Sequence, residues 1–131
     1  VVSMPRLRLI RDALQPQEYQ DLFRGAIVLQ PYDPGIFRDR VSGVTLDALN
    51  AGAPIIASAG TWTADLITRF GCGIVCESSS PDVLHAAIDR IRSDYAEFHQ
   101  RTCAAREALR AEVQNSEVTR ILRRNCNAIT A

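Results

Sequence analysis

The sequence predicts a parallel α/β domain: a sheet of about four strands, helices on both of its faces and a helical C-terminal tail. Three observations lead there. Short apolar runs rich in β-branched residues (AIVLQ at 26–30, PIIAS at 54–58, GIVC at 73–76) alternate with helical patterns. Glycine or proline stands at the ends of these runs. The runs are apolar almost throughout, as strands covered on both faces are.

Residues Arg6–Ile10 read as a first short strand and Asp12–Gln15 as a loop. Pro16 suits the first turn of a helix, where its missing N–H costs nothing, and Glu18 sits near the positive end of the dipole. Tyr19, Leu22 and Phe23 form its apolar face, and Gly25 ends it before the strand Ala26–Gln30. The loop Pro31–Val41 holds two prolines, one glycine and four charged residues. It is long for a strand-to-helix connection, where two to six residues are usual; it is a functional loop or an ordinary surface excursion.

Ser42 is a suitable N-cap for a helix running to Ala51, with Val44, Ala48 and Ala51 facing the sheet and Leu49 widening that face. Gly52 is placed to close the helix, and Pro54 blocks its continuation before the strand Pro54–Ser58. Thr61 or Thr63 caps the next helix, which turns Leu66, Ile67 and Phe70 inward and stops at Gly71. Trp62, the single tryptophan, is a helix-start anchor or a pocket wall. After the strand Gly73–Cys76, Ser80-Pro81-Asp82 is a strong helix start. From Leu84 to Leu109 apolar or small residues recur every three or four positions, in one long helix or two with a kink. That face packs on the sheet or meets a coiled-coil partner. Ser116 caps a last helix with Val118, Ile121 and Leu122 inward and Arg120, Arg123 and Arg124 outward.

The 131 residues suffice for one domain with a core, and with no repeat, linker or low-complexity segment the whole span 1–131 reads as a single unit. Fifteen basic and fifteen acidic residues cancel, so the basic excess of a nucleic-acid binder is missing. No apolar run approaches the ~20 residues of a membrane span. No signal peptide is visible, since Arg8 interrupts the short run LRLI. The expected location is cytoplasmic. The chain opens on Val1 with Met4 three residues later, and a fragment of a longer protein is expected. Cys72, Cys76, Cys103 and Cys126 show no CxxC and no ligand spacing to His85 or His99, which reads as reduced thiols without a metal. Cys72, Ile74 and Cys76 alternate along one strand face.

Three features meet where the strand Ala26–Gln30 stops. Pro31-Tyr32-Asp33-Pro34 leaves the strand end, Arg38 and Arg40 stand in the loop, and Ser42-Gly43 opens a helix with Asp47 about one turn in. Backbone N–H groups of Ser42, Gly43 and Val44 can hold a phosphate oxygen at a helix N-terminus. An arginine can add charge-assisted bonds, and Asp47 can accept from a vicinal diol such as a ribose.

Residues 17–76 resemble the C-terminal, donor-binding half of a glycosyltransferase built from two Rossmann-like domains (the GT-B type), nearest the group 1, retaining family 4-like bacterial enzymes. The pieces that carry the resemblance are QEYQDLFRGAIVLQPYDP, RVSGVTLDALNAGAPIIASAGTW and FGCGIV. The resemblance implies a Rossmann-like fold and a nucleoside-diphosphate hexose as donor. The turn Ser42-Gly43-Val44 would bind the diphosphate and Asp47 the ribose. Tyr32, Arg38 and Arg40 would join the donor site, and Asp39, eight positions before Asp47, matches the acid that contacts the donor sugar. The family's usual glutamate is aspartate at 47, which shortens the reach by about 1.5 Å, and the glycine sits one residue closer to it than in many members. No cofactor beyond the donor is implied.

The acceptor-binding N-terminal half and the first two strands of the donor half have no counterpart in the sequence. Arg6–Ile10 must then pair directly with Ala26–Gln30, or a second copy must fill the gap, which makes a homo-oligomer an open expectation. The 131-residue chain is expected not to transfer sugar alone. The alternative is a non-catalytic interaction or oligomerisation module of the same fold, using the Leu84–Leu109 face for assembly.

Overall fold

The computed structural model describes residues 6–129. In chain order its elements are α1 (Pro16–Asp21), β1 (Val28–Gln30), α2 (Pro34–Phe37), α3 (Gly43–Ala51), β2 (Ile55–Ser58), α4 (Trp62–Phe70), β3 (Gly73–Cys76), α5 (Pro81–Ser93), α6 (Tyr95–Gln114) and α7 (Glu117–Ile129). The three strands lie in the order β1-β2-β3, all parallel. Val28 stands opposite Ile55, and Ile56 opposite Ile74.

Side-chain alternation along the strands divides the interior into two layers. Ile55 and Ala57 of β2 face one side, with Ala48 and Leu49 of α3, Leu66 and Ile67 of α4, and Ala105 of α6. Ile56 and Cys76 face the other, with Ala87 and Ile91 of α5 and Phe98 of α6. Helices therefore cover both faces, as the continuous apolar runs predict. The cover is incomplete over β1, where Leu29 is 41% exposed. No helix among the described residues is long and apolar enough to cross a membrane.

Several helix ends fall where the sequence places them. The Ser42 hydroxyl accepts from Thr45 N–H at 3.3 Å, and Thr61, rather than Thr63, caps α4 by accepting from Ala64 N–H at 3.1 Å. Gly52 closes α3 at φ 71°, a left-handed conformation that glycine adopts without strain. The Glu18 carboxylate accepts from Gln15 N–H at 3.0 Å and fixes the start of α1. The long apolar face breaks at Asp94, whose φ of −125° and ψ of 36° interrupt the helix, giving α5 and α6. Ile91, Phe98, Thr102 and Ala105 on that face are buried within the chain.

Five expectations are corrected. Arg6–Ile10 is not a strand: it pairs with none of the described residues, and Leu7 and Leu9 are each exposed, so the sheet has three strands among the described residues. Alternation alone does not make a strand without a neighbour to take its backbone hydrogen bonds. Val44 is exposed and Thr45 takes the inward position, because the polar side chain finds partners there. Helix α1 stops at Asp21, which leaves Leu22 exposed. Cys72 packs in the first layer while Ile74 and Cys76 pack in the second, since Cys72 precedes β3 and the strand alternation does not reach it. Val118, Ile121 and Leu122 of α7 are exposed rather than inward.

Candidate functional site

The C-terminal end of β1 and the N-terminal end of α3 are joined by a buried polar network centred on Gln30. Gln30 ends an otherwise apolar run and is fully buried, so its amide needs partners. Its Nε2 donates to the Tyr32 hydroxyl at 3.3 Å and to the Ser42 hydroxyl at 3.2 Å. Its Oε1 accepts from the Thr45 hydroxyl at 2.7 Å. Thr45 Oγ1 also lies 2.9 Å from Thr63 Oγ1. With the Thr45 proton given to Gln30, Thr63 is the donor of that pair. The network ties β1, α3 and α4 together and fixes the first turn of α3 against the strand end.

That first turn presents free donors. The Ser42 hydroxyl satisfies Thr45 N–H, while Gly43 and Val44 N–H have no acceptor among the described residues. A Cβ placed on Gly43 would meet nothing within 4 Å, so the approach to these donors is open. Arg38, Asp39 and Arg40 lie just before this turn, all exposed and without an ion pair among the described residues. Between them and β1 stands α2, where Asp33 accepts from Gly35 N–H at 2.8 Å and the Tyr32 and Phe37 rings stack with centroids 4.2 Å apart. The long loop is thus partly structured, and Tyr32 is held by a ring and an amide.

Asp47 is placed differently. Tyr19 of α1 donates to its Oδ2 at 2.9 Å, and burial together with this carboxylate raises the Tyr19 phenol above its ordinary value. Asp47 borders a depression formed with Gln20, Phe23, Arg24, Asn50 and Ala51, which includes none of Tyr32, Arg38, Asp39, Arg40 or Ser42. Of the residues singled out in the sequence, Tyr32 and Ser42 share one amide, Gly43 and Val44 present donors beside them, and Asp47 turns toward α1. Trp62 packs on the first core layer and borders a depression with Leu109 and Glu112 of α6, so it serves as an anchor for α4.

Sequence reasoning missed Gln30, Thr45 and Thr63. Their signal was present: a glutamine closing an apolar strand, and threonines at inward positions of two helices. Among the described residues no group of three His, Cys, Asp or Glu side chains gathers to hold a metal ion. A scan against protein-family models gives no match, and neither curated proteins nor solved structures give one.

Proposed function

We propose that this chain is the nucleotide-sugar-binding portion of a glycosyltransferase with a Rossmann-like fold, taking a hexose from a nucleoside-diphosphate sugar. The observation that carries the reading is the first turn of α3: two backbone donors without acceptors among the described residues, an open approach over Gly43, and arginines at 38 and 40 that are unpaired among those residues. A helix N-terminus with N–H groups aimed outward favours a phosphate. In transfer, the α3 N-terminus and an arginine would stabilise the diphosphate as it departs, and Asp47 would hold the ribose through Oδ1, its Oδ2 being occupied by Tyr19. The acceptor side of the cleft would come from another domain, and this chain alone would be inactive.

Titration calorimetry with uridine and guanosine diphosphates tests the reading. Binding at millimolar or tighter dissociation constants is expected. Gly43→Asp should weaken it at least tenfold while keeping the helix, because an acid in the first turn suits the dipole but repels phosphate. Absence of heat at millimolar nucleotide, or indifference to Gly43→Asp, would exclude it.

A second reading, a non-catalytic interaction module, draws on the apolar face of α7, where Val118 is 67% and Leu122 58% exposed. The Leu84–Leu109 face is occupied within the chain. Sedimentation velocity separates the readings: nucleotide silence together with self-association abolished by Leu122→Asp would favour the module.

A further inference from the structure

Away from α3's first turn, α6 brings a nucleophile to a base. Tyr95, His99 and Cys103 follow one another at intervals of four and so share one face of the helix. His99 Nδ1 lies 2.7 Å from the Gly52 carbonyl oxygen. A carbonyl only accepts, so Nδ1 carries the proton of the neutral ring and Nε2 is left as an acceptor. Cys103 Sγ stands 3.7 Å from that nitrogen. The thiol is therefore the donor of the pair.

Gly52 supplies the seat. A Cβ on it would fall 2.5 Å from His99 Cε1 and 2.9 Å from Cys103 Sγ, so the missing side chain is what admits both groups. The Tyr95 ring stacks on the imidazole at 6.3 Å and 12°, and its hydroxyl donates to the Ala26 carbonyl at 3.0 Å. The imidazole is thus fixed by an acceptor and a ring, while His99 as a residue is exposed and Cys103 half-exposed. Cys72 and Cys76, in contrast, are buried.

We propose that Cys103 is a modification site for small soft electrophiles, with His99 as its base. Nucleophile, base and an orienting acceptor in sequence are the arrangement of activated thiols. With an alkyl halide, the Cys103 proton passes to His99 Nε2. The sulfur pair forms a bond to the electrophilic carbon, and the carbon–halogen bond breaks, its electrons leaving with the halide. Nδ1–H remains on the Gly52 oxygen throughout. The added group lies against the residue that closes α3, the helix whose first turn carries the candidate anion site. The proposal does not depend on the nucleotide reading.

Iodoacetamide labelling of the full chain at pH 7, followed peptide by peptide in a mass spectrometer, tests it. Cys103 should label faster in the native protein than in the urea-unfolded chain, although unfolding exposes it fully. His99→Gln keeps a hydrogen-bonding side chain but cannot take the proton, and should slow native Cys103 labelling at least tenfold. Continued protection of Cys72 and Cys76 in the same digest reports that the variant is folded. Native labelling no faster than unfolded labelling, or a folded His99→Gln variant with an unchanged rate, would overturn the proposal.

Discussion

Gln30 decides more of this molecule than its single position in a strand suggests. Its amide holds Tyr32, Ser42 and Thr45 in one buried network, so the end of β1 and the start of α3 are specified together. Thr45→Val keeps the shape but leaves Gln30 Oε1 and the Thr63 hydroxyl without their partner. A loss of about 2 kcal/mol is expected in urea unfolding, the cost of buried polar groups left unsatisfied; a change under about 0.5 kcal/mol would refute the network's role. Cys72 gives a second residue-level consequence. Burial pushes its thiol from 9.0 up to about 11. In the unfolded chain the thiol ionises at its ordinary value, so between pH 9 and 11 the unfolded state releases a proton that the native state retains. The stabilisation is complete below that window and falls as pH rises through it, by about 2–3 kcal/mol. Burial raises Cys76, Tyr19 and Tyr95 in the same direction. Unfolding free energies at pH 8.5 and 10.5 under reducing conditions should diverge less in Cys72→Ala than in the parent chain. Gln30 left a signal in the sequence, a glutamine closing an apolar strand, but not the identity of its partners. The role of Cys72 was not legible, because it depends on which layer the side chain enters. For Cys72 that is set by the turn at Gly71, outside the strand.

At the scale of elements, the sequence was most readable where a local rule acts alone. Ser42, Thr61 and Gly52 are caps, and a cap needs only its own helix. Pro81 opens α5 at its first position in the same local way, without a side-chain bond from Ser80. The strand at Arg6–Ile10 and the inward face of α7 failed as expectations, although the α7 helix itself forms, because a pattern of apolar residues says which face an element offers, not whether the fold supplies a surface to cover it. Strand β3 shows an element's dependence on one small residue. A Cβ at Gly73 would lie 1.8 Å from the Ile55 carbonyl oxygen and 2.7 Å from its carbon, both backbone atoms of the paired strand. Gly73→Ala must therefore part β2 from β3, and a loss of at least about 3 kcal/mol, or failure to fold, is expected. Gly43→Ala, into open space at the start of α3, should instead change stability by less than about 1 kcal/mol, in the stabilising direction. Thermal unfolding of the two variants side by side checks the contrast; equal effects would mean that the β2–β3 contact is looser than the geometry requires.

The molecule as a whole is a short sheet protected unequally. β2 has a neighbour on each edge and a helical layer on each face, and Ile55, Ile56 and Ala57 are nearly inaccessible. Among the described residues β1 has a neighbour on one edge only. Its Val28 N–H donates to the Pro54 carbonyl at 2.9 Å, and because backbone groups alternate in direction along a strand, Leu29 N–H points to the open side. Two adjacent amides should then differ sharply in hydrogen exchange. Val28 is expected to exchange slowly with the amides of β2, whose opening requires the sheet to come apart, and Leu29 to exchange through no opening at all. The exposed Leu29 side chain on the uncovered face makes this edge the place where a further strand would add. The measurement therefore also asks what the chain does in solution. Residue-resolved exchange on the monomeric protein should show Val28 protected and Leu29 not. Strong protection of Leu29 that grows with protein concentration would mean that copies pair along β1, and strong protection at all concentrations would mean that part of the chain folds onto that edge, contrary to the three-stranded arrangement.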